Sequence, residues 1–219
     1  MKTKLSKLYE IDAFKKYYNF LVSENEKYNL TSITLEKEVY IKHFLDSLAL
    51  ENIMDLNAIS LCDVGSGAGF PSIPLKIMYP NIKLTIIEPT LKRCKFLEML
   101  VEILELKDVE IINDRAENIK GRSFDVVSAR AVSNLSILLE LCIPLVKVNG
   151  FFVAYKGSNF QEELNAANNA LTKLNSRLID VYQYDLEEFG KHSLIKVVKE
   201  KETNKIYPRP YAQIKKKPL

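Results

Sequence analysis

The chain lacks any run of about eighteen consecutive apolar residues, which excludes a membrane-spanning helix of ordinary length. Cysteine and histidine are scarce. The three cysteines, Cys62, Cys94 and Cys142, are far apart and form no CxxC pair. An odd, dispersed set of thiols argues against a disulfide framework and suits a reducing cytoplasm. The two histidines, His43 and His192, stand alone, so a structural zinc site is not expected. The opening MKTKLSKLYEIDAFKKYY scatters charge and holds no continuous apolar stretch, so a secretory signal is not expected. Internal repeats, low-complexity tracts and long linkers are also missing.

What is present is ordinary globular composition, 47% hydrophobic and 27% charged over 219 residues, enough for one sizeable core. The net charge of +3 is unevenly spread: residues 196–219 hold eight Lys/Arg against two acids, a net of +6, leaving −3 for the rest. A basic terminus is a reasonable electrostatic contact for phosphates. From charge alone it reads first as a solvated tail.

The hydrophobic pattern divides the chain at about residue 52. In the first part Leu5, Leu8, Phe14, Tyr18 and Leu21 recur at mostly helical steps. Thr34 is placed to cap a second helix running through Leu50, with Leu35, Val39, Leu45, Leu48 and Ala49 as its apolar side. Residues 1–52 are therefore expected to form a helical extension packed on a domain spanning 53–219.

That domain alternates short β runs (59–64, 83–88, 109–113, 124–129, 150–156) with helical stretches near 71–79, 90–106, 134–146 and 160–175. Alternation of this kind predicts an α/β, doubly wound fold with a mostly parallel sheet. Two further runs, 177–184 and 192–200, are joined by the short polar DLEEFGK with no helix between them. The expected sheet thus has seven strands, the last antiparallel and at the edge. Ligands of open sheets bind at the carboxyl ends of the strands.

The strongest chemical signal is LCDVGSGAGF, residues 61–70. Glycines after a strand let backbone approach a ligand and adopt positive φ, and Pro71 suits the first turn of a helix. A dinucleotide fingerprint requires a third glycine at position 70, which is Phe70. GxGxG is instead tolerable for a ligand without a pyrophosphate. Glu88 ends the next strand about twenty residues on, where a carboxylate accepts both ribose hydroxyls. Gly65, Gly67 and Glu88 together fit an adenosyl ligand. Ala116 and Glu117 follow the third strand, on the adenine side of such folds; for Glu117 a solvated helix-start acid is an equal reading. Arg130 closes the fourth strand and is the candidate for a catalytic role.

Missing motifs narrow the reaction. SARAV (128–132) stands where amino-group methyltransferases carry Asp/Asn-Pro-Pro-aromatic. No cysteine is placed as a thiolate nucleophile for cytosine C5. A ring nitrogen with a free lone pair, such as guanine N7, needs no general base, and its methylation rests on positioning. A methyltransferase acting on a small molecule or protein, and a nucleotide-binding module without activity, stay open on these observations.

NLTSI (29–33), HFLDSLAL (43–50), DVGSGAGFPSIPL (63–75), AE (116–117), FDVVSARAV (124–132), AYKG (154–157) and YPRPYAQIKKKPL (207–219) resemble the bacterial RsmG (GidB) methyltransferases from about residue 29 onward. The resemblance implies a Rossmann-like class I fold and S-adenosylmethionine-dependent methylation of a guanine N7 in the decoding-region loop of 16S ribosomal RNA. It implies cofactor contact at Gly65, Phe70, Ala116, Glu117 and Arg130. It also directs Lys156, Arg209 and the Lys215, Lys216, Lys217 run towards RNA of the small ribosomal subunit. This chain departs from the pattern at Ser72-Ile73-Pro74 and Glu88-Pro89-Thr90; the glutamate preserves the ribose acceptor. His43 and Asp46, three apart, read as a local ion pair or core histidine before a catalytic pair. A monomer is the expected state. Tyr207 and Tyr211, interleaved with basic residues, suit base stacking or packing on the sheet equally.

Overall fold

The structure is a computed structural model that describes residues 2–130 and 133–219, with side chains from residue 4. Ala131 and Val132 of the SARAV run lie outside the described residues.

Seven strands form one sheet in the order β3-β2-β1-β4-β5-β7-β6. They are β1 (Ser60–Val64), β2 (Lys83–Ile87), β3 (Val109–Ile112), β4 (Phe124–Arg130), β5 (Val146–Lys156), β6 (Ser176–Asp185) and β7 (Lys191–Lys199). The first five pair in parallel, with Asp63 of β1 beside Ile86 of β2 and Ser128 of β4. β7 is antiparallel to both neighbours. It is the last strand but not the edge strand: it inserts between β5 and β6, and β6 takes the edge. The reason lies in burial. β7 reads buried at Ser193, Leu194, Ile195, Val197 and Lys199, whereas β6 is buried only at Ser176. The strand with two apolar faces is covered on both sides.

Five α-helices join these strands, α4 (Ser72–Met78), α5 (Leu91–Ile103), α6 (Leu135–Cys142), α7 (Phe160–Ala166) and α8 (Asn168–Lys173). The single predicted helix at 160–175 is thus two, breaking at Ala167. All eight residues of α6 are buried, and Asn134 caps it by accepting from the Ile137 amide at 3.1 Å.

The N-terminal region is helical in pieces. α1 (Lys2–Glu10) and α2 (Asp12–Tyr28) separate at Ile11, inside the one long gap in the apolar spacing. The buried face of α2 is Phe14, Tyr17 and Leu21; Tyr18 is only half-buried. Thr34 does not cap a long second helix. One turn, α3 (Glu36–Glu38), runs into a π-helical segment, Val39–Leu45, and then a 3₁₀ segment, Leu48–Asn52. Leu35, expected on the apolar side, precedes the helix and is 67% exposed. Leu8, Phe14, Tyr17, Leu21 and Phe44 share one core cluster with Leu61, Leu84 and Ile86 of the sheet. No helix among the described residues is long and apolar enough to cross a membrane.

Candidate functional site

The glycine loop is built around Asp63. Its carboxylate is fully buried and accepts from Ser72 Oγ at 2.6 Å and Ser128 Oγ at 3.1 Å, tying β1 to α4 and β4. Burial raises its pKa to about 6 against the pull of these hydroxyls and of Arg130. Gly65, Gly67 and Gly69 all have positive φ. At Gly69 a Cβ would meet Tyr17 Oη at 2.7 Å and Ile73 Cγ1 at 2.8 Å, so the N-terminal region packs on the loop with no room for a side chain. Tyr17 also donates to Ala68 O at 2.6 Å.

A cavity of about 380 Å³ opens over the carboxyl ends of β1, β2 and β3. Gly65, Glu88, Ala116 and Glu117 line it, as do Arg115, Leu141 and Tyr211. Its size suits a nucleoside-sized ligand. Glu88 is buried, and its two oxygens accept from the Gly67 amide at 3.0 Å and the Thr90 amide at 2.9 Å. Those bonds orient the carboxylate and leave each oxygen a further lone pair for a ribose hydroxyl. Glu117 is mostly covered and accepts from Arg115 Nε at 2.6 Å, so it is no freely solvated acid. These residues fit S-adenosylmethionine: a carboxylate for the sugar, an apolar slot for the base and a glycine turn beside them.

A second cavity, also about 380 Å³, opens over the ends of β4, β5 and the start of β7. Arg130 lines this one, with Lys42, His43, Asp46, Lys156, Phe189 and His192 among its neighbours. Arg130 Nη1 donates to Asp46 Oδ2 at 2.9 Å and Lys42 O at 3.1 Å, and Nη2 approaches His43 Nδ1 at 3.2 Å. Because a guanidinium only donates, Nδ1 must accept, which puts the histidine proton on Nε2 towards Thr31 Oγ1 at 3.0 Å. Burial, reinforced by the Arg130 charge, lowers the His43 pKa to about 3. The ring is therefore neutral near pH 7 and its acceptor is already engaged. Asp46 Oδ1 takes Tyr184 Oη at 2.7 Å and His192 Nδ1 at 2.9 Å. Burial favours the protonated carboxyl, but the His192 bond and the Arg130 charge outweigh it and hold the pKa below its ordinary value.

Phe70 lines neither cavity. It is buried between the rings of His43 (4.4 Å) and Tyr17 (5.4 Å), with Arg130 Cζ 4.9 Å over its face. Of the residues predicted to bind cofactor, the structure gathers Gly65, Glu88, Ala116 and Glu117 around one cavity, and Gly67 reaches it only through its amide bond to Glu88. It puts Arg130 in the other, with Phe70 packed beneath it.

The RNA-directed residues also separate. Lys156 Nζ is spent on Glu163 Oε2 at 2.6 Å and Ser133 O at 2.7 Å. Arg209 binds the fully buried Glu140 through its amide at 3.0 Å, Nε at 2.7 Å and Nη2 at 2.5 Å, an anchor for the tail rather than a solvated cation. Lys215, Lys216 and Lys217 are exposed. Tyr184 and His192 carry no site signal in the sequence; Asp46, read there as an ion-pair partner of His43, instead pairs with Arg130 and His192, and Tyr211, read there as a stacking or packing residue, lines the first cavity.

A seven-stranded sheet with an inserted antiparallel strand, a glycine turn after β1 and an acid after β2 define a class I S-adenosylmethionine-dependent methyltransferase. The fold recurs in solved structures at low identity: Aeropyrum pernix fibrillarin with bound S-adenosylmethionine (TM-score 0.56, 13% identical, 72% of this chain and 75% of that one) and M. jannaschii TYW2 with AdoMet (0.57, 16%, 71% and 74%). Residues 10–189 match the family profile GidB, rRNA small subunit methyltransferase G. Ribosomal RNA small subunit methyltransferase G of Staphylococcus saprophyticus is 49% identical over 212 residues (94% of this chain, 89% of that protein), and that of Staphylococcus aureus strain Newman is 50% identical over the same shares. The chain belongs to the GidB family of small-subunit rRNA methyltransferases, and its cofactor is S-adenosylmethionine.

Proposed function

We propose that this chain methylates N7 of a guanine in the decoding-region loop of 16S ribosomal RNA, acting in the cytoplasm as a monomer. The observation that carries this reading is the pair of cavities flanking the glycine loop, one shaped for a nucleoside and one lined by Arg130, Lys42 and Lys156. The cofactor supplies an activated methyl on a sulfonium. Everything else falls to positioning. Glu88 and the glycine turn fix the sugar. Arg130, held by Asp46 and His43, presents cationic donors where the base enters. A guanidinium directed at guanine O6 leaves the adjacent N7 lone pair free. His43, neutral and with its acceptor nitrogen occupied, is not a base, and N7 requires none.

The test is to incubate the protein and labelled S-adenosylmethionine with 30S particles, or naked 16S RNA, lacking the modification, then map the labelled nucleotide. One N7-methylated guanine in the decoding-region loop is expected. Label at another atom, on protein, or nowhere overturns the reading.

A further inference from the structure

The C-terminal helix, α9 (Tyr211–Lys216), reaches back over the sheet to the cofactor cavity. Tyr211, its first residue, stands in the lining with Ala116 and Leu141. Its ring is held from one side by Arg115, whose Cζ lies 4.3 Å from the ring centroid. Arg115 is itself fixed by Glu117 at 2.6 Å. The segment that delivers Tyr211 is tied down on both sides. Arg209 grips the buried Glu140, the residue next to Leu141 in α6, and donates through Nη2 to Lys217 O at 3.1 Å. Ile214, one turn beyond Tyr211, is fully buried in the core.

The cavity has two ends. Gly65 marks the end nearest β4 and Phe70, where a reactive methyl must sit to reach the second cavity. In the strand order β3-β2-β1-β4, Glu88 after β2 comes next and Ala116 after β3 lies at the opposite end, with Tyr211 beside it on Arg115. A planar base attached to that ribose falls between Ala116 and Leu141, against the Tyr211 ring.

We propose that Tyr211 is a cofactor-binding residue, the aromatic wall that contacts the adenine, and that the tail is part of the cofactor pocket rather than only an RNA-directed appendage. The proposal rests on reading this cavity as the cofactor site. Base–aromatic contacts lose roughly tenfold in affinity on removal of the ring. Arg115, stacked on the ring, pre-orients it, which lowers the cost of ordering it on binding.

The experiment is calorimetric titration of the full-length protein with S-adenosylhomocysteine and with 5′-methylthioadenosine, which lacks the amino-acid end. Tyr211→Ala should weaken both ligands by the same factor, about tenfold, and Tyr211→Phe should bind both within about twofold of the parent. Tyr211→Leu keeps the apolar packing of the tail; it should bind about fivefold more weakly while the Tm of the ligand-free protein stays unchanged. Unchanged affinity in Tyr211→Leu and Tyr211→Ala overturns the assignment. So does a variant that loses only RNA affinity, because the ring would then serve the substrate. A parent protein that binds neither ligand refutes the methyltransferase reading itself, whereas a binding parent with indifferent variants refutes only the role of Tyr211.

Discussion

Asp63 shows what a single buried group does to this molecule. Its folded pKa of about 6 lies above the ordinary 3.8, so its contribution to stability is fully present below about pH 4 and is lost as pH rises through 6. By neutral pH the loss approaches roughly 3 kcal/mol at 1.36 kcal/mol per pH unit. Asp63→Asn removes the titration and keeps an acceptor for a serine hydroxyl. Its stability relative to the parent is expected to rise from near zero at pH 4 towards that value at pH 7, read by urea denaturation across pH. A difference independent of pH would refute the account. His43 works in the opposite direction: with its pKa lowered to about 3, its contribution is present above about 6.5 and lost as pH falls. Asp46, with its pKa held below the ordinary value, also stabilises the fold once ionised, and it positions Arg130. Asp46→Asn removes the charge that holds Arg130 but leaves the cofactor cavity intact. Methyl transfer should fall at least tenfold, about 1.4 kcal/mol of barrier, with S-adenosylhomocysteine affinity unchanged. Loss of that affinity instead would put Arg130 back in the cofactor site.

Among elements, the glycine turn separates two kinds of glycine. Gly67 has φ +61° and open space around its Cβ position, whereas Gly69 has φ +100° and meets Tyr17 Oη and Ile73. Gly67→Ala should cost roughly 1 kcal/mol, the left-handed penalty alone. Gly69→Ala adds overpacking and a more strained backbone, roughly 3 kcal/mol in total. Equal costs in thermal denaturation would show that the helical cap over the loop yields freely. The central strands and the loop are legible in the sequence because short continuous apolar runs, buried on both faces, and glycine spacing are local signals. The π-helical Val39–Leu45 was not, since its apolar residues also fit an α-helix and its i→i+5 bonds leave no distinct pattern. The insertion of β7 was equally hidden. A short connection between two strands predicts that they pair antiparallel but not which of them takes the edge. That order decides the site, because an antiparallel β7 starts where β5 ends, pairing Ser193 with Lys156 and bringing His192 to Asp46.

Across the whole molecule, the basic terminus does two jobs that charge counting merges. Arg209, Ile214 and Tyr211 are committed inward, to Glu140, the core and the cofactor cavity. Lys215, Lys216 and Lys217 face outward. Deleting residues 207–219 therefore removes a pocket wall, strands the buried Glu140 carboxylate and strips the lysines at once, and it cannot isolate RNA binding. Arg209→Ala alone should cost roughly 3 kcal/mol by leaving that carboxylate uncompensated. The triple change of Lys215, Lys216 and Lys217 to glutamine isolates the outward job. If these lysines neutralise phosphates, 16S RNA affinity should fall, and the slope of log affinity against log salt should flatten by up to about three phosphate contacts. Affinity for S-adenosylhomocysteine should not move, because none of the three lines the cofactor cavity. An unchanged salt slope would make the lysines a solvated end and leave RNA recognition to the cavity around Arg130.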